Sequence, residues 1–423
     1  MEKRLIDCYA QILQDELVPA MGCTEPIAVA YGAAIARETL GQLPQRVQVL
    51  VSPNILKNVK SVVVPHTQGM RGIAAAAAAG IAAGQASQKL EVISQAGAEE
   101  IARVKAYLES AEITVGCSER AWLLNIQITA WVGEQRAFVE IAGAHTNVIR
   151  VERGEDILLS REYSEDIFQE DKGSELNVED IVRFAGEVEL ERIAPTLDRQ
   201  IALNMAVAQE GLSGKWGAGI GKILLDAYGN QVQNRAKAMA AAGSDSRMSG
   251  CELPVVINSG SGNQGLTTSL PVIVYAEELG VSHEELLRAL AVANLVTIHL
   301  KEGIGKLSAY CGATSAGCGA AAGVCYLMGG RSDEIAHTVV NGVAINSGMI
   351  CDGAKPSCAA KIASAVEAGL LGLQMQQHGT QFCGGEGIVT KGVENTILNI
   401  CHLARDGMAA TDREIIRMMT AEC

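Results

Sequence analysis

Three cysteines in this sequence have the type and spacing to hold an inorganic cluster: Cys311, Cys351 and Cys358. Each lies among Gly, Ala and Ser residues, whose small side chains let a bulky group approach the backbone. Three thiolates can bind three irons of a [4Fe-4S] cluster and leave the fourth iron open. An open iron is a Lewis acid that favours soft ligands, so it can accept a departing sulfur. The three cysteines therefore predict elimination chemistry on a small thiol-bearing molecule.

The spacing of these cysteines leaves alternatives open. The common cluster motif, with cysteines two residues apart, is absent. Three unrelated buried thiols would explain the pattern, and so would zinc, although no nearby His completes the usual closed tetrahedral set. Ser357 is predicted to cap a helix that begins at Cys358, where backbone N–H groups and the helix dipole favour a thiolate.

Cys23 is a separate candidate for chemistry. It directly precedes Thr24, which is predicted to cap a helix, so the same helix-end effect predicts a lowered thiol pKa. The side chain of Cys23 can serve as a base, a nucleophile or a fourth ligand. A packed thiol beside a turn is the alternative.

Three polar segments are candidates for binding a substrate. The loop 258–265 offers hydroxyls, amides and backbone N–H groups that suit a carboxylate or a phosphate, although such loops are also ordinary turns. His145-Thr146-Asn147 lies between two predicted strands, where a structural His is the alternative. The run 244–247 is predicted to be a loop that either places Arg247 against a carboxylate or lies on the surface.

The composition indicates a folded chain with a sizeable core. Hydrophobic residues make up 48% of the 423 residues and charged residues 19%, so disorder is not expected. This length predicts two or three domains, or one large core with an insertion. Aromatic residues make up only 4%, so Ala, Ile, Leu, Val and Met must fill the core, which suits closely approaching helices.

Charge and hydropathy argue against two classes of partner. The formal net charge is −14, and Lys and Arg do not cluster with aromatic residues, so no nucleic-acid partner is expected. No membrane partner is expected either, because a spanning run of about 18 apolar residues is missing. The N-terminal residues lack the apolar run of a secretory signal. We therefore expect a cytoplasmic protein whose 12 cysteines are mostly reduced.

The predicted elements must position these candidate residues. Apolar spacing predicts helices over residues 3–18, from Thr24 to about 40, over 73–84 and near 94–110, with a strand over 47–51. Strands are predicted over 122–132, 137–142 and 148–152, separated by turns. After residue 178 the pattern is mostly helical, with Gly-rich loops over the following ranges: 211–221, 243–250 and 258–265.

The predicted fold class is α+β. Residues 1–42 and 174–423 are predicted to form a mainly helical, cluster-binding domain. Residues 43–173 are predicted to form a smaller inserted α+β domain that carries an antiparallel sheet.

Six motifs in order carry a resemblance that spans nearly the whole chain. They are residues 21–26 (MGCTEP), 52–54 (SPN), 143–147 (GAHTN), 209–217 (QEGLSGKWG), 258–265 (NSGSGNQG) and 347–353 (SGMICDG). The set resembles the L-cysteine desulfidase family, which is related to the alpha part of bacterial iron–sulfur L-serine dehydratases. The resemblance implies a [4Fe-4S] enzyme that converts L-cysteine and water to pyruvate, hydrogen sulfide and ammonia.

The resemblance also implies roles for single residues. Cys311, Cys351 and Cys358 match the cluster positions of the family, Cys23 matches its additional, catalytic cysteine, and Cys318 matches no ligand position. A terminal cysteine can fold onto the open iron in related serine dehydratases, but for Cys423 a frayed end is favoured. The predicted substrate-binding residues are Thr24, Glu25, Asn54, His145, Thr146, Asn147, Arg247, Asn258, Ser259, Ser261, Gly262, Asn263 and Gln264.

Rival functions remain at this stage. A pyridoxal-phosphate lyase would catalyse the same net reaction, with Lys57 and Lys215 as weak candidates for the Schiff-base lysine. An L-serine dehydratase of the iron–sulfur class and a non-catalytic cysteine or iron–sulfur sensor are the others. Without the resemblance, no residue separates serine from cysteine as substrate, and the oligomeric state stays open, a homo-oligomer included.

Overall fold

The structure, a computed structural model, describes residues 1–164, 175–305 and 307–420. It has an α+β fold, as predicted, with a six-stranded mixed sheet and a larger part made of helices. The α-helices of the described residues are α1 Lys3–Glu16, α2 Thr24–Leu40, α3 Pro53–Val59, α4 Gly72–Ala83, α5 Ala98–Ser110, α6 Val178–Glu187, α7 Ala194–Gly211, α8 Ile220–Tyr228, α9 Val232–Met248, α10 Gly262–Leu279, α11 His283–Glu302, α12 Gly312–Leu327, α13 Ser332–Ile345, α14 Cys358–Gln377, α15 Val393–His402 and α16 Ala409–Thr420.

Six of the strands form one sheet in the order β3-β2-β4-β5-β6-β7. The strands are β1 Pro19–Met21, β2 Arg46–Val51, β3 Glu112–Cys117, β4 Asn125–Val132, β5 Gln135–Ala142, β6 Val148–Arg153, β7 Asp156–Ser160 and β8 Pro254–Val256. The predicted antiparallel sheet needs one correction, because β2 pairs with β3 in parallel. The chain returns to the sheet through α3, α4 and α5, and such a crossover lets two strands run in the same direction.

Helix α2 packs on this sheet through small residues. A Cβ on Gly32 would lie 3.0 Å from Ile128 Cδ1, so α2 approaches the buried face of β4 closely. On another side of α2, a Cβ on Gly80 of α4 would lie 2.0 Å from the carbonyl oxygen of Ala30. Glycine and alanine therefore fill the core here, as the low aromatic content predicts. The domain boundaries stay a prediction, and the one at 173/174 falls outside the described residues.

Helix α12 lies at the centre of the helical part. A Cβ on Gly317 would meet the carbonyl oxygen of Ala365 on α14 at 2.3 Å, and one on Gly319 would meet Oγ1 of Thr297 on α11 at 2.0 Å. Because α12 begins directly after Cys311 and α14 begins at Cys358, this close packing also fixes two of the candidate cysteines.

A second, two-stranded sheet joins the N-terminal segment to the second half of the chain. β1 pairs antiparallel with β8, so that Pro19 faces Val256 and Met21 faces Pro254. Cys23 follows β1, and the loop 258–261 follows β8. The rest of the predicted loop, 262–265, is helical and forms the first turn of α10. The hydroxyl of Thr24 then donates to the carbonyl oxygen of Gly260 across 3.0 Å, which holds the start of α2 against that loop.

Most predicted elements are present with small changes of boundary. The predicted Gly-rich loop 243–250 is wrong, because most of it lies within α9, which continues to Met248. Asp245 explains this, because its carboxylate accepts from the backbone N–H groups of Ala218 and Ile220 across 3.2 and 2.6 Å and joins α9 to the start of α8. Among the residues described, no helix has both the length and the apolar character needed to cross a bilayer.

Candidate active site

A cavity of about 110 Å³ lies where several helices begin. Residues from the first turns of α2, α10, α12 and α14 line it, and these N-terminal ends carry partial positive charge. Such a place favours anionic ligands and thiolates. The predicted site residues that line the cavity are Cys23, Glu25, Arg247, Ser261, Asn263, Gln264, Cys311, Cys351 and Cys358.

A short backbone contact aligns Cys311 with Cys351. Tyr310 and Ile350 form an isolated antiparallel bridge. The N–H of Cys311 donates to the carbonyl oxygen of Met349 across 2.9 Å, and the N–H of Cys351 donates to that of Ala309 across 2.7 Å. The two cysteines therefore leave the bridge side by side, although 40 positions separate them in the chain.

The two thiols differ in acidity. A hydrogen bond from the Cys311 thiol lowers the pKa of Cys351 to about 6 against the effect of burial, and the charge of Lys57 contributes in the same direction. The same hydrogen bond raises the pKa of Cys311 well above its ordinary value, and burial adds to this. Cys351 is therefore the thiolate of the pair at neutral pH.

Cys358 is the first residue of α14, as predicted, but without the predicted cap. Ser357 makes no side-chain capping bond. Burial raises the pKa of the Cys358 thiol despite the helix start, so the predicted preference for a thiolate is wrong for the protein alone. Its Sγ lies 3.7 Å from the carbonyl oxygen of Gly353, within the loop that joins Cys351 to Cys358.

The donor set of this cavity fits an iron–sulfur cluster. No group of three or more His, Cys, Asp or Glu side chains in the described part of the chain is arranged to hold a single metal ion. A cluster has a different requirement, because each thiolate binds a separate iron and the sulfurs need not meet at one point. Three soft thiol donors from three segments, all open to one cavity, meet that requirement.

Two buried lysines line the same cavity: Lys57, considered from the sequence only as a Schiff-base lysine, and Lys301, which was not identified. Lys57 and Lys301 are only 3% and 4% exposed. Nζ of Lys57 donates to Oδ1 of Asp412 across 2.6 Å. Burial lowers the pKa of Lys301 to about 8, and the neighbouring Cys351 and Cys311 oppose that shift. The sequence signal for Lys301 was weak, because the preceding segment 295–300 contains Thr297 and His299 among its apolar residues.

Cys23 and Glu25 form a hydrogen-bonded pair at the start of α2. The Cys23 thiol donates to Oε2 of Glu25 across 3.0 Å, and Nδ2 of Asn58 donates to Oε1 across 2.9 Å. Burial, followed by the charge of Glu25, raises the pKa of Cys23 well above its ordinary value, so the predicted lowering is wrong. Thr24 is the first helical residue rather than the predicted cap.

The pKa of Glu25 is shifted in the opposite direction, below its ordinary value. Burial alone would raise its pKa, but His145, the hydrogen bond from Cys23 and the charge of Arg247 together hold it below the ordinary value. At neutral pH the pair therefore consists of a protonated thiol and an ionised carboxylate. The thiol can lose its proton to this adjacent carboxylate.

Arg247 brings a cation to the cavity from the last turn of α9 rather than from a loop. Its Nη1 donates to Oδ1 of Asn263 across 3.0 Å, and its Nε has no protein partner among the described residues. A Cβ on Gly262 would lie 2.3 Å from that Nε, so only glycine leaves room for the guanidinium. A partly satisfied, buried guanidinium is suited to an anionic ligand.

Several buried oxygens at the cavity also lack a hydrogen-bond partner within the described ranges. They include Oε1 of Gln264, Oδ1 of Asn58 and the hydroxyl of Tyr310. Buried polar atoms are almost always hydrogen-bonded, so these atoms indicate a polar ligand. Asn58 and Tyr310 were not identified from the sequence, because neither belongs to a recognisable motif.

The other predicted binding residues lie outside the cavity lining. Nδ2 of Asn258 donates to Oδ1 of Asn294 across 3.0 Å, and the hydroxyl of Ser259 donates to Oδ1 of Asn258 across 2.9 Å. These bonds stabilise the loop that precedes α10. Asn147 donates to the carbonyl oxygen of Ala142 across 2.9 Å. The remaining residues of this group are Thr24, Asn54, His145, Thr146 and Gly262.

These residues stay predictions as substrate ligands, although His145 reaches the site through its effect on the pKa of Glu25. Of the two lysines considered for a Schiff base, Lys215 is exposed and does not line the cavity. The predicted role of Cys423 falls outside the described residues.

The fold and the cavity define a class: an α+β protein in which three cysteine thiols, a Cys–Glu pair and a buried guanidinium line one cavity. The family described as "Serine dehydratase alpha chain" matches residues 87–417, and the chain belongs to this family, which is related to the alpha part of iron–sulfur serine dehydratases.

Curated relatives match over nearly their whole length. A UPF0597 protein of Desulfitobacterium hafniense (strain Y51) is 53% identical over 423 residues, covering 100% of this chain and 98% of the relative. A UPF0597 protein of Lachnoclostridium phytofermentans is 46% identical, covering 99% and 100%. Another, of Finegoldia magna, is 45% identical, covering 97% and 99%. These names state no reaction.

Proposed function

We propose that this protein is an iron–sulfur lyase that eliminates sulfide from L-cysteine, giving pyruvate, hydrogen sulfide and ammonia. The observation that carries the proposal is the opening of three cysteine thiols, the Cys23–Glu25 pair and the Arg247 guanidinium onto one cavity. Cys311, Cys351 and Cys358 would hold a [4Fe-4S] cluster there. When bound, the cluster supplies a Lewis-acidic iron that stabilises negative charge on the leaving sulfur.

The polar lining suits the two charged groups of an amino acid. The Arg247 guanidinium has an unpaired Nε and would bind the α-carboxylate. The unpaired oxygens of Gln264 and Asn58 are acceptors, and the Glu25 carboxylate adds negative charge, so this group would bind the α-ammonium. A substrate held by both groups would have a fixed Cα, as proton abstraction requires.

Cys23 and Glu25 would remove the Cα proton as a unit. Because the thiol is protonated and the carboxylate is ionised, Cys23 would pass its own proton to Glu25 as its sulfur takes the Cα proton. The electrons of the Cα–H bond form the Cα–Cβ double bond, and the Cβ–S bond breaks with its electron pair on sulfur. Hydrosulfide and 2-aminoacrylate result, and water converts the latter to pyruvate and ammonia.

A second candidate is L-serine dehydration to pyruvate and ammonia. The name of the matching family, serine dehydratase alpha chain, favours it. Serine and cysteine differ only in the leaving atom, and the same proton-accepting pair would serve both substrates.

One experiment separates these candidates. The protein, purified and reconstituted with iron and sulfide without oxygen, would be assayed for pyruvate from L-cysteine and from L-serine, with sulfide measured in parallel. We expect equal amounts of sulfide and pyruvate from L-cysteine, with kcat/KM at least about tenfold above that for L-serine. A higher value for L-serine would assign the second function, and an iron-loaded protein that consumes neither substrate would overturn both.

A further inference from the structure

We infer that the Asn58 side chain couples recognition of the substrate α-ammonium to the proton transfer between Cys23 and Glu25. One end of its carboxamide holds the Glu25 carboxylate in place, and the other end binds the substrate. This inference rests on the proposed function and deepens it, because it makes a free α-amino group a requirement of the site. Asn58 belongs to none of the six motifs in the sequence.

The packing of α3 fixes the place of Asn58. The residue is 7% exposed and lines the cavity, while Ile55 and Val59 on the same helix are fully buried. The preceding residue, Lys57, is anchored to Asp412 of α16 across 2.6 Å. Because the neighbours of Asn58 along the helix are held on both sides, its side chain stays at the cavity.

The hydrogen bonds of Glu25 determine which way the carboxamide points. Oε1 of Glu25 accepts from Nδ2 of Asn58 across 2.9 Å, and Oε2 accepts from the Cys23 thiol across 3.0 Å. A carboxylate only accepts hydrogen bonds, so the NH2 end of Asn58 must face it. The other end, Oδ1, is buried and has no hydrogen-bond partner within the described part of the chain. Since buried polar atoms are almost always hydrogen-bonded, Oδ1 is left for a ligand.

The chemistry of Oδ1 selects the ligand group. A carbonyl oxygen can only accept, so its partner must be an N–H or O–H donor. An α-ammonium is such a donor, and its positive charge also suits the adjacent Glu25 carboxylate. The guanidinium of Arg247 lines the same cavity and suits the α-carboxylate instead. A ligand with a carboxylate but no α-ammonium leaves Oδ1 unpaired, which lowers its affinity.

Two substitutions separate the two functions of the carboxamide. Asn58→Ala removes both ends, so it should weaken ammonium binding and release the Glu25 carboxylate. Asn58→Asp keeps an acceptor for the ammonium but replaces the NH2 donor by a second carboxyl group. That group either repels the charge of Glu25 or shares a proton with it, and both outcomes make Glu25 a poorer proton acceptor.

The test measures kcat for L-cysteine and competitive inhibition by two carboxylates, all in the anaerobically reconstituted full chain. L-Alanine has the α-ammonium, whereas 3-mercaptopropionate has the thiol but no α-ammonium. For Asn58→Ala we expect about tenfold weaker inhibition by L-alanine, unchanged inhibition by 3-mercaptopropionate, and kcat at least about tenfold lower. For Asn58→Asp, L-alanine should inhibit at least as well as in the wild type, while kcat falls as in Asn58→Ala.

Asn341→Ala is the matched control. Asn341 is a buried residue of α13 whose Nδ2 donates to the carbonyl oxygen of Gly372 across 3.1 Å, and it does not line the cavity. Its loss should lower the thermal midpoint and leave kcat and both inhibition constants at wild-type values.

Equal weakening of the two inhibitors in Asn58→Ala, or unchanged inhibition by L-alanine, would overturn the inference, because Asn58 would then only support packing. A wild-type kcat in Asn58→Asp, the variant closest in shape, would overturn it as well. A wild-type protein that releases no pyruvate from L-cysteine would instead overturn the proposed function. The two failures are distinguishable, because the second is observed before any variant is made.

Discussion

The thiol of Cys23 donates a hydrogen bond to the carboxylate of Glu25 across 3.0 Å, at the start of the helix that borders the cavity. The carboxylate is held ionised while burial keeps the thiol protonated. Either residue alone would be a poor base at this place, since the thiol holds its proton and the carboxylate has a lowered pKa. Together they can move a proton in one step.

The first prediction concerns this pair. Cys23→Ala and Glu25→Gln should each lower kcat for L-cysteine about 10²–10⁴-fold, because each removes one half of the proton transfer. Iron and acid-labile sulfide should stay at wild-type amounts, since neither residue is an assigned cluster ligand. Cys251→Ala is the control, because this buried cysteine does not line the cavity. Full activity in Cys23→Ala would assign the base elsewhere.

The second prediction concerns the cluster ligands. Cys351→Ala should lose most of the iron, because it removes one of the three thiols that open onto the cavity. Cys318→Ala is the matched control: Cys318 is buried within α12 and lies outside the cavity lining. It should keep about four iron atoms per chain. Iron and sulfide analysis of anaerobically reconstituted proteins checks both, and equal iron contents would contradict the assignment.

The third prediction concerns substrate binding. Arg247→Lys should raise KM for L-cysteine about tenfold to a hundredfold, because a lysine cannot reproduce the fork of donors. Arg235→Lys is the control on the same helix, since Arg235 pairs with Glu278 on the surface across 2.6 Å. Its KM should stay at the wild-type value. A normal KM in Arg247→Lys would mean that the substrate carboxylate binds another group.

The fourth prediction concerns pH and the Glu394–His299 contact, in which Nε2 and Oε2 are 2.6 Å apart. Burial alone would raise the pKa of Glu394, but His299 lowers it below the ordinary 4.5. A lowered folded-state pKa adds stability above the unfolded value, and that stability is lost as pH falls through the folded value. Because the side chain is 41% exposed, solvent screening limits the effect to roughly 1 kcal/mol.

Glu394→Gln should therefore lower the free energy of urea unfolding at pH 7, and the difference from wild type should shrink as pH falls below 4.5. Iron-free proteins are suited to this measurement, because cluster loss then makes no contribution. Glu109→Gln, at an exposed position on α5, is the control and should change little at either pH. If the difference in unfolding free energy between Glu394→Gln and wild type stayed the same at low pH, the effect would come from packing and not from the charge of Glu394.

The sequence predicts much of the fold, because most elements have local signals. The helices near residues 3–18 and 24–40 follow from apolar spacing, and the strands over 137–142 and 148–152 follow from their flanking turns. β3 was missed, since as an edge strand it is largely exposed and lacks the alternation of a half-buried strand. β3 is also what makes the sheet mixed.

The site could be predicted only where residue types and their local spacing in the sequence indicate chemistry. The cysteines among small residues and the segment 258–265 were found, and all three cysteines but only three residues of that segment line the cavity. Arg247 was assigned to a loop, because the polar residues before it resemble a turn. The buried hydrogen bond between Asp245 and the start of α8, which favours the helix, cannot be seen in the local sequence. Lys301 is the single lysine of α11, and its burial at the cavity results from tertiary packing that the fold shows.

The pairing of β1 with β8 has a consequence for biosynthesis. Cys23 lies near the beginning of the chain, yet the strand that holds it in place pairs with residues 254–256. The other cysteines of the cavity follow later in the chain, so a nascent polypeptide cannot bring all four together until the ribosome has translated past residue 358. A prematurely terminated product would lack the complete set, so the proposed chemistry requires a nearly full-length chain.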